Sequence, residues 1–141
     1  MTAPPKLLGL DHVVLRVRDL EAALGFYVGA LGCAEERRIE KLGLIQLRAG
    51  TALIDLVPID SPLGQAGGGA PDPEAKNVDH FCLRIEPFDA EALAAHLRTH
   101  GVEPGEVGER YGADGTGPSM YVHDPDGNVV ELKGPPTRSG P

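Results

Sequence analysis

The stretch Leu10-Asp-His-Val-Val-Leu-Arg-Val17 decides the fold, because Val78-Asp-His-Phe-Cys-Leu-Arg-Ile85 repeats its pattern in the second half of the chain. Each copy alternates over the length of a strand and is rich in β-branched residues, which predicts a half-buried β-strand. The repeat therefore predicts two similar halves. Each is a module that begins with the same kind of strand and exposes the same kind of polar face.

A helix and three further strands are predicted after each copy. Asp19 and Asp89 are suited to N-cap the helices, and Gly32 and Gly101 are suited to end them. Asp124-Pro-Asp-Gly127 predicts a tight turn between the last two strands. The predicted strands are 33–40, 44–49 and 51–58 in the first half, and 102–107, 118–123 and 128–133 in the second.

This order predicts an α+β fold of two βαβββ modules within a single domain over residues 8–133. Module 1 covers about 8–60, module 2 covers about 77–133, and the Gly- and Pro-rich segment 61–76 is interpreted as a flexible linker. Residues 1–7 and 134–141 are expected to be flexible termini. The glycine-rich segment 110–119 is interpreted as either a mobile lid or a plain connection.

Composition narrows the possible partners. The chain has 141 residues and a net charge of −8 with no Lys/Arg cluster, which argues against nucleic acid and anionic membrane surfaces as partners. The first residues lack the apolar core of a secretory signal, and two cysteines are too few for a disulfide framework. A cytoplasmic protein with a small-molecule substrate is therefore expected.

Strand geometry places chemistry-bearing side chains on one face of each module. Val13, Leu15 and Val17 make an apolar face suited to packing under the helix, so His12 and Arg16 point to the opposite side. In the second copy, His80 and Arg84 point away from the helix by the same rule. These arginines are candidates for clamping an anionic substrate, or for balancing neighbouring carboxylates.

Each half also carries a carboxylate within an apolar strand, Asp55 in Leu53-Ile-Asp-Leu-Val57 and Glu131 in Val129-Val-Glu-Leu132. Desolvating such a group costs several kcal/mol unless it has a partner, which a divalent metal or an arginine can supply. Two imidazoles with one or two carboxylates form a transition-metal site with open positions. Tyr121 and His123 are candidate substrate contacts, in alternation with Met120 and Val122.

The sequence resembles the vicinal oxygen chelate superfamily, which includes glyoxalase I, bleomycin-resistance proteins and extradiol dioxygenases. The resemblance is carried by Leu10–Leu20, Gly25-Phe-Tyr27 before Leu31-Gly32, Val78-Asp-His80, and Asp124-Pro-Asp-Gly-Asn-Val-Val-Glu-Leu132. It implies that the two modules form a curled mixed sheet around a metal site.

By this resemblance, His12, His80 and Glu131 are metal ligands and Glu131 is also the catalytic base. Asp55 lies where metal-binding members often have Glu, and it is one methylene shorter. The implied cofactor is a divalent metal ion: Ni, Zn, Co, Mn or Fe. Members of the superfamily generally form homodimers, and whether this site lies within one chain or is shared by two stays open.

Three kinds of function follow from the resemblance. The first is a glyoxalase I-like lyase or isomerase, in which a metal-stabilised enediolate allows removal of a proton α to a carbonyl. The second is a non-haem-iron dioxygenase, or a fosfomycin-type thiol transferase. The third is a non-enzymatic, bleomycin-type drug-binding protein, against which the absence of Trp and the retained metal-type residues argue.

Overall fold

A computed structural model describes residues 4–141 of the chain. Residues 1–3, part of the N-terminal segment expected to be flexible, lie outside the described residues. The elements of module 1 are β1 (His12–Val17), α1 (Leu20–Leu24), which continues as a π-helical segment over Gly25–Ala30, β2 (Ala34–Ile39), β3 (Leu44–Ala49) and β4 (Ala52–Pro58).

A short helix, α2 (Pro62–Gln65), lies in the segment that joins the modules. The elements of module 2 are β5 (His80–Arg84), α3 (Ala90–Thr99), β6 (Val107–Gly112), β7 (Gly115–His123) and β8 (Val129–Lys133). Asp19 and Asp89 cap α1 and α3, since their side chains accept hydrogen bonds from the backbone N–H groups of Ala22 and Ala92.

The eight strands form two four-stranded mixed sheets with the same topology, which confirms the predicted α+β class. Their strand orders are β1-β4-β3-β2 and β5-β8-β7-β6. In each sheet the first and last strands of the module are parallel neighbours, and the other pairs are antiparallel. Among the described residues, no strand ladder joins one sheet to the other. The topology therefore places the strand with the histidine directly beside the strand with the carboxylate.

One apolar core serves both modules. It contains Tyr27 from the π-helical segment, Leu97 from α3, and Met120 and Leu132 from the second sheet, all with 1% exposure or less. Val13 and Leu15 pack against this core from β1 while His12 is exposed, as the period-two rule predicts. The helix-facing sides of the two sheets are thus buried together, and the His-bearing faces are left on the outside of the core.

Polar bonds also connect the modules. The Tyr27 hydroxyl donates to Oδ2 of Asp124 at 2.7 Å, and this pair is buried. The Asp126 carboxylate accepts from the backbone N–H of Arg18 at 3.0 Å, and Nε2 of His96 bonds the carbonyl of Ala30 at 2.8 Å. Burial, with the charge of Asp124, raises the pKa of Tyr27 well above its usual range. Tyr27 and the turn that contains Asp124 and Asp126 therefore help to hold the two modules together.

The prediction of a strand at 102–107 is wrong, because the strand begins only at Val107 and extends to Gly112. Pro104 has no backbone N–H to give to a ladder. At Gly105 the chain passes so close to β7 that a Cβ atom would lie 2.1 Å from the carbonyl oxygen of Tyr121. The segment before Val107 therefore packs closely against β7 and does not form a strand ladder with it.

The glycine-rich segment 110–119 is not a plain connection but is mostly paired strand. It forms the β6–β7 hairpin, with Gly112 opposite Gly115 at the turn. The tail is also not frayed as expected: the backbone N–H of Thr116 donates to Arg138 at 2.9 Å, and the Thr116 hydroxyl donates to Gly140 at 2.6 Å. Across residues 4–141, no helix is long and apolar enough to cross a membrane.

Candidate metal centre

The two repeated histidines have the same local geometry. Nδ1 of His12 bonds the Asp11 carboxylate at 2.7 Å, and Nδ1 of His80 bonds the Asp79 carboxylate at 2.7 Å. A carboxylate that accepts from Nδ1–H fixes the ring and leaves Nε2 with a lone pair, as in many metal-ligating histidines. The repeated Asp-His dipeptide is thus a pair of oriented imidazoles.

Asp55 accompanies His12 in module 1. The parallel ladder places Asp55 opposite Val14, two residues along β1 from the histidine. Its side chain is buried at 3% exposure; Oδ2 accepts a hydrogen bond from Nε2 of Gln46 at 3.1 Å, and Oδ1 has no hydrogen-bond partner. The hydrogen bond to Asp11 raises the pKa of His12, and the charge of Asp55 raises it further against an opposing effect of desolvation. His12 and Asp55 are called the module-1 pair.

Glu131 accompanies His80 in module 2, where Nε2 of His80 lies 3.3 Å from Oε1 of the buried glutamate. Tyr121 stands beside Glu131 in the β7–β8 ladder, with its ring edge-on to His80 at 5.2 Å between centroids. Desolvation raises the pKa of Tyr121, and the negative charge of Glu131 raises it further. The guanidinium of Arg110 lies over the Tyr121 ring, 4.5 Å from its centroid. His80 and Glu131 are called the module-2 pair.

The two pairs do not combine within one chain. Over the described range 4–141, no three His, Cys, Asp or Glu side chains are grouped closely enough to hold one metal ion. The repeat therefore places one histidine–carboxylate pair in each sheet.

The candidate substrate residues lie in different places. Arg16 donates to the carbonyl oxygens of Gly64 and Gly68, so it holds the segment between the modules. Arg84 pairs with Asp114 at 2.6 Å at the border of the cleft that contains the module-2 pair. His123 lines a separate cleft with Phe26 and His100, and not the cleft beside Glu131.

The module-2 pair opens into a cleft of about 950 Å³. Cys82 faces it opposite Glu131; desolvation and the charge of Glu131 raise the pKa of this thiol to about 11, so it stays protonated near neutral pH. Lys133 also lines the cleft. Sequence reasoning missed Lys133 and Arg110, although the two-residue period from Glu131 places Lys133 on the same face.

Comparisons with known proteins identify the family of this chain. A sequence model described as the Glyoxalase/Bleomycin resistance protein/Dioxygenase superfamily matches residues 9–132. The "Glyoxalase domain-containing protein RDO1" of Mycosarcoma maydis is 30% identical over 131 residues, which cover 87% of this chain and 66% of that protein. This chain thus spans just under two thirds of that relative's length.

Solved structures show the same fold. An integron cassette protein from the V. cholerae mobile metagenome superposes with a TM-score of 0.70 and 29% identity, covering 94% of this chain and 98% of that one. A lactoylglutathione lyase from Agrobacterium tumefaciens superposes with a TM-score of 0.64 and 21% identity, covering 94% and 96% of the two chains. With two modules of one topology and a family match over nearly its whole length, the chain belongs to the Glyoxalase/Bleomycin resistance protein/Dioxygenase superfamily.

Proposed function

We propose that this protein is a divalent-metal-dependent lyase or isomerase, similar to glyoxalase I, that acts on a small substrate with two adjacent oxygens. The observation that carries the proposal is the duplicated Asp-His couple, each beside a buried carboxylate. Superfamily membership supports it, and the fold shared with a lactoylglutathione lyase is compatible with it.

The residues present fit a metal ion. Imidazole nitrogen and carboxylate oxygen bind first-row metals at about 2.0–2.2 Å, so two adjacent ligands stand roughly 3.0–3.5 Å apart. The 3.3 Å between Nε2 of His80 and Oε1 of Glu131 lies in this range. In module 1, Oδ1 of Asp55 is a buried oxygen without a partner, and a cation would satisfy it.

A bound metal would polarise the two substrate oxygens and so acidify the carbon next to the carbonyl. His12, His80, Asp55 and Glu131 would hold the ion. Glu131 is the proposed base that takes the proton from that carbon, because its buried carboxylate lines the cleft that admits the substrate.

We further propose that two copies of the chain complete the ligand set, with the module-1 pair of one copy facing the module-2 pair of the other. The surface near these pairs supports this arrangement, since Leu8 is 90% exposed, Leu10 is 94% exposed and Val78 is 58% exposed. Leu8 and Leu10 line the same cleft, and exposed apolar side chains that lie together are typical of an interface. A two-fold dimer would form two equivalent sites.

Mixing two inactive variants tests the shared site. His12→Ala and His80→Ala each remove one ligand from every site, but a heterodimer of the two has one intact site. With random exchange of subunits, metal binding should return to about one quarter of the wild-type sites. The measurement is metal content after unfolding and refolding the variants together, and separately as the control. If the separate and mixed samples both stay metal-free, the shared site is wrong.

Metal content and activity test the function itself. We expect protein purified without added metal to contain about one Ni, Co or Zn ion per chain, and to isomerise the hemithioacetal of a 2-oxoaldehyde and glutathione. Chelation should abolish the activity and the same metal should restore it. Iron with oxygen uptake would instead indicate a dioxygenase. Metal-free protein that binds a cationic drug would indicate a sequestering role.

A further inference from the structure

A cationic patch continues the face that carries the module-2 pair. Lys133 follows Glu131 by two residues on β8, so it points to the same side about 6.6 Å farther along the strand. The β5–β8 ladder places Arg84 directly opposite Lys133. Both side chains line the cleft of about 950 Å³ that contains His80 and Glu131.

Lys133 is a buried charge with unused donors. Lys133 is only 6% exposed, and its ammonium donates one hydrogen bond, to the carbonyl oxygen of Gly115 at 3.0 Å. No ion pair involves Lys133 in the part of the chain that the structure describes. An ammonium has three donors, and burying one without a counter-charge is costly unless a further partner is supplied.

The fold makes room for this lysine. A Cβ atom at Gly112 would lie 3.0 Å from Cε and 3.3 Å from Cδ of Lys133, so the glycine leaves the space through which the side chain passes. Arg84, in contrast, is already balanced, because Nη1 bonds Oδ2 of Asp114 at 2.6 Å and the side chain is largely exposed. Of the two cationic side chains of the cleft, Lys133 is therefore the one without a counter-charge.

We infer that Lys133, with Arg84 at the rim, binds an anionic oxygen group of the ligand, a carboxylate or a phosphate. This inference rests on the proposed function for the metal end of the ligand, and it names the substrate class. The substrate carries two adjacent metal-binding oxygens at one end and an anionic group that reaches Lys133 in the same cleft. Charge-assisted bonds to the anion would supply the missing partners of the ammonium.

The anion subsite is tested first on metal-free protein, so that the result does not depend on the metal. Succinate and inorganic phosphate are titrated separately, and amide chemical shifts near residue 133 are followed by NMR. We expect saturable binding by at least one of them in the millimolar range. Lys133→Met should weaken it by about tenfold or more, since a hydrogen bond to a charged group is lost. Comparing the two probes separates carboxylate from phosphate preference.

Three further variants control this test. Lys133→Arg keeps the charge and should retain most of the binding, whereas Lys41→Met removes an exposed lysine from the β2–β3 turn and should change nothing. The Arg84 side chain is largely exposed, so the Arg84→Met variant should fold normally and bind the anions about twofold to tenfold more weakly. This variant decides the test if Lys133→Met does not fold. Absence of saturable binding by both anions, or equal binding by the wild type and Lys133→Met, would overturn the inference.

A pair of chelators then tests the link to the metal. Nickel-loaded protein is titrated with acetohydroxamate and with the monohydroxamate of succinate, which adds a carboxylate to the same chelating group. The wild type should bind the second about 10- to 100-fold more tightly, and Lys133→Met should lose that preference while keeping its affinity for acetohydroxamate. If the protein takes up no nickel, the proposed function fails, while the anion titration still decides the role of Lys133.

Discussion

Replacement of His80 by alanine is expected to reduce the metal content from about one ion per chain to a small fraction, and to lower kcat/KM by more than the 10- to 100-fold typical of losing an outer-shell partner. The reason is geometric: Nε2 of His80 is oriented by Asp79 and stands 3.3 Å from the Glu131 oxygen that would share the ion. Metal content after dialysis and initial rates provide the two measurements.

The same substitution should leave the fold intact. His80 is half-buried and contributes nothing to the shared apolar core, and Glu131 still faces the cleft, from which water can reach it. His100→Ala is the matched control, because this exposed imidazole at the end of α3 belongs to neither pair. Metal bound at full stoichiometry by His80→Ala, with His100→Ala unchanged, would contradict the assigned ligand set.

Replacement of Asp124 by alanine is expected to lower the free energy of unfolding by about 3–5 kcal/mol, because one buried and three partly buried donors lose their acceptor together. Oδ1 of Asp124 accepts from the backbone N–H groups of Asp126 and Asn128 at 2.9 and 2.7 Å. Oδ2 accepts from the Tyr27 hydroxyl at 2.7 Å and from Nδ2 of Asn128 at 2.8 Å. Urea denaturation, followed by circular dichroism, measures the loss.

Graded variants separate the turn from the contact between modules. Tyr27→Phe removes only the Tyr27–Asp124 bond between the modules and should cost about 1.5–3 kcal/mol. Tyr111→Phe, on an exposed ring, should cost less than about 0.5 kcal/mol. Asp124→Asn keeps an acceptor and should be less destabilising than Asp124→Ala. Equal stability of Asp124→Ala and the wild type would show that this carboxylate does not hold the modules together.

The strand repeat made the facing directions of the candidate ligands predictable. Period-two geometry places His12 and Val14 on one face and Val13 and Leu15 on the other, and the core contacts confirm this division. The pattern did not reveal the role of the aspartate before each histidine, although Asp11 and Asp79 are as regular in sequence as the histidines. Their orienting bonds depend on side-chain rotamers, which the sequence pattern does not specify.

Other features depended on contacts between distant segments. Pro104 and Gly105 move the start of the strand to Val107 because the chain there presses against the Tyr121 carbonyl. Arg16 has the same strand position as Arg84, yet it bonds Gly64 and Gly68 in the joining segment while Arg84 bonds Asp114. Equivalent positions in a repeat thus share a direction but not a partner.

By itself, the sequence determined two βαβββ modules, the face of each first strand that carries the histidine, and the family to which such a chain belongs. These follow from local periodicity and from turn and cap residues, which act over a few neighbours. Only the tertiary structure decided that the modules share one core on their helix sides, so that the module-1 and module-2 pairs lie apart in one chain. It also decided that Lys133 is buried without a counter-charge. Such outcomes depend on packing between segments far apart in sequence, where burial and hydrogen-bond partners are set by the whole fold.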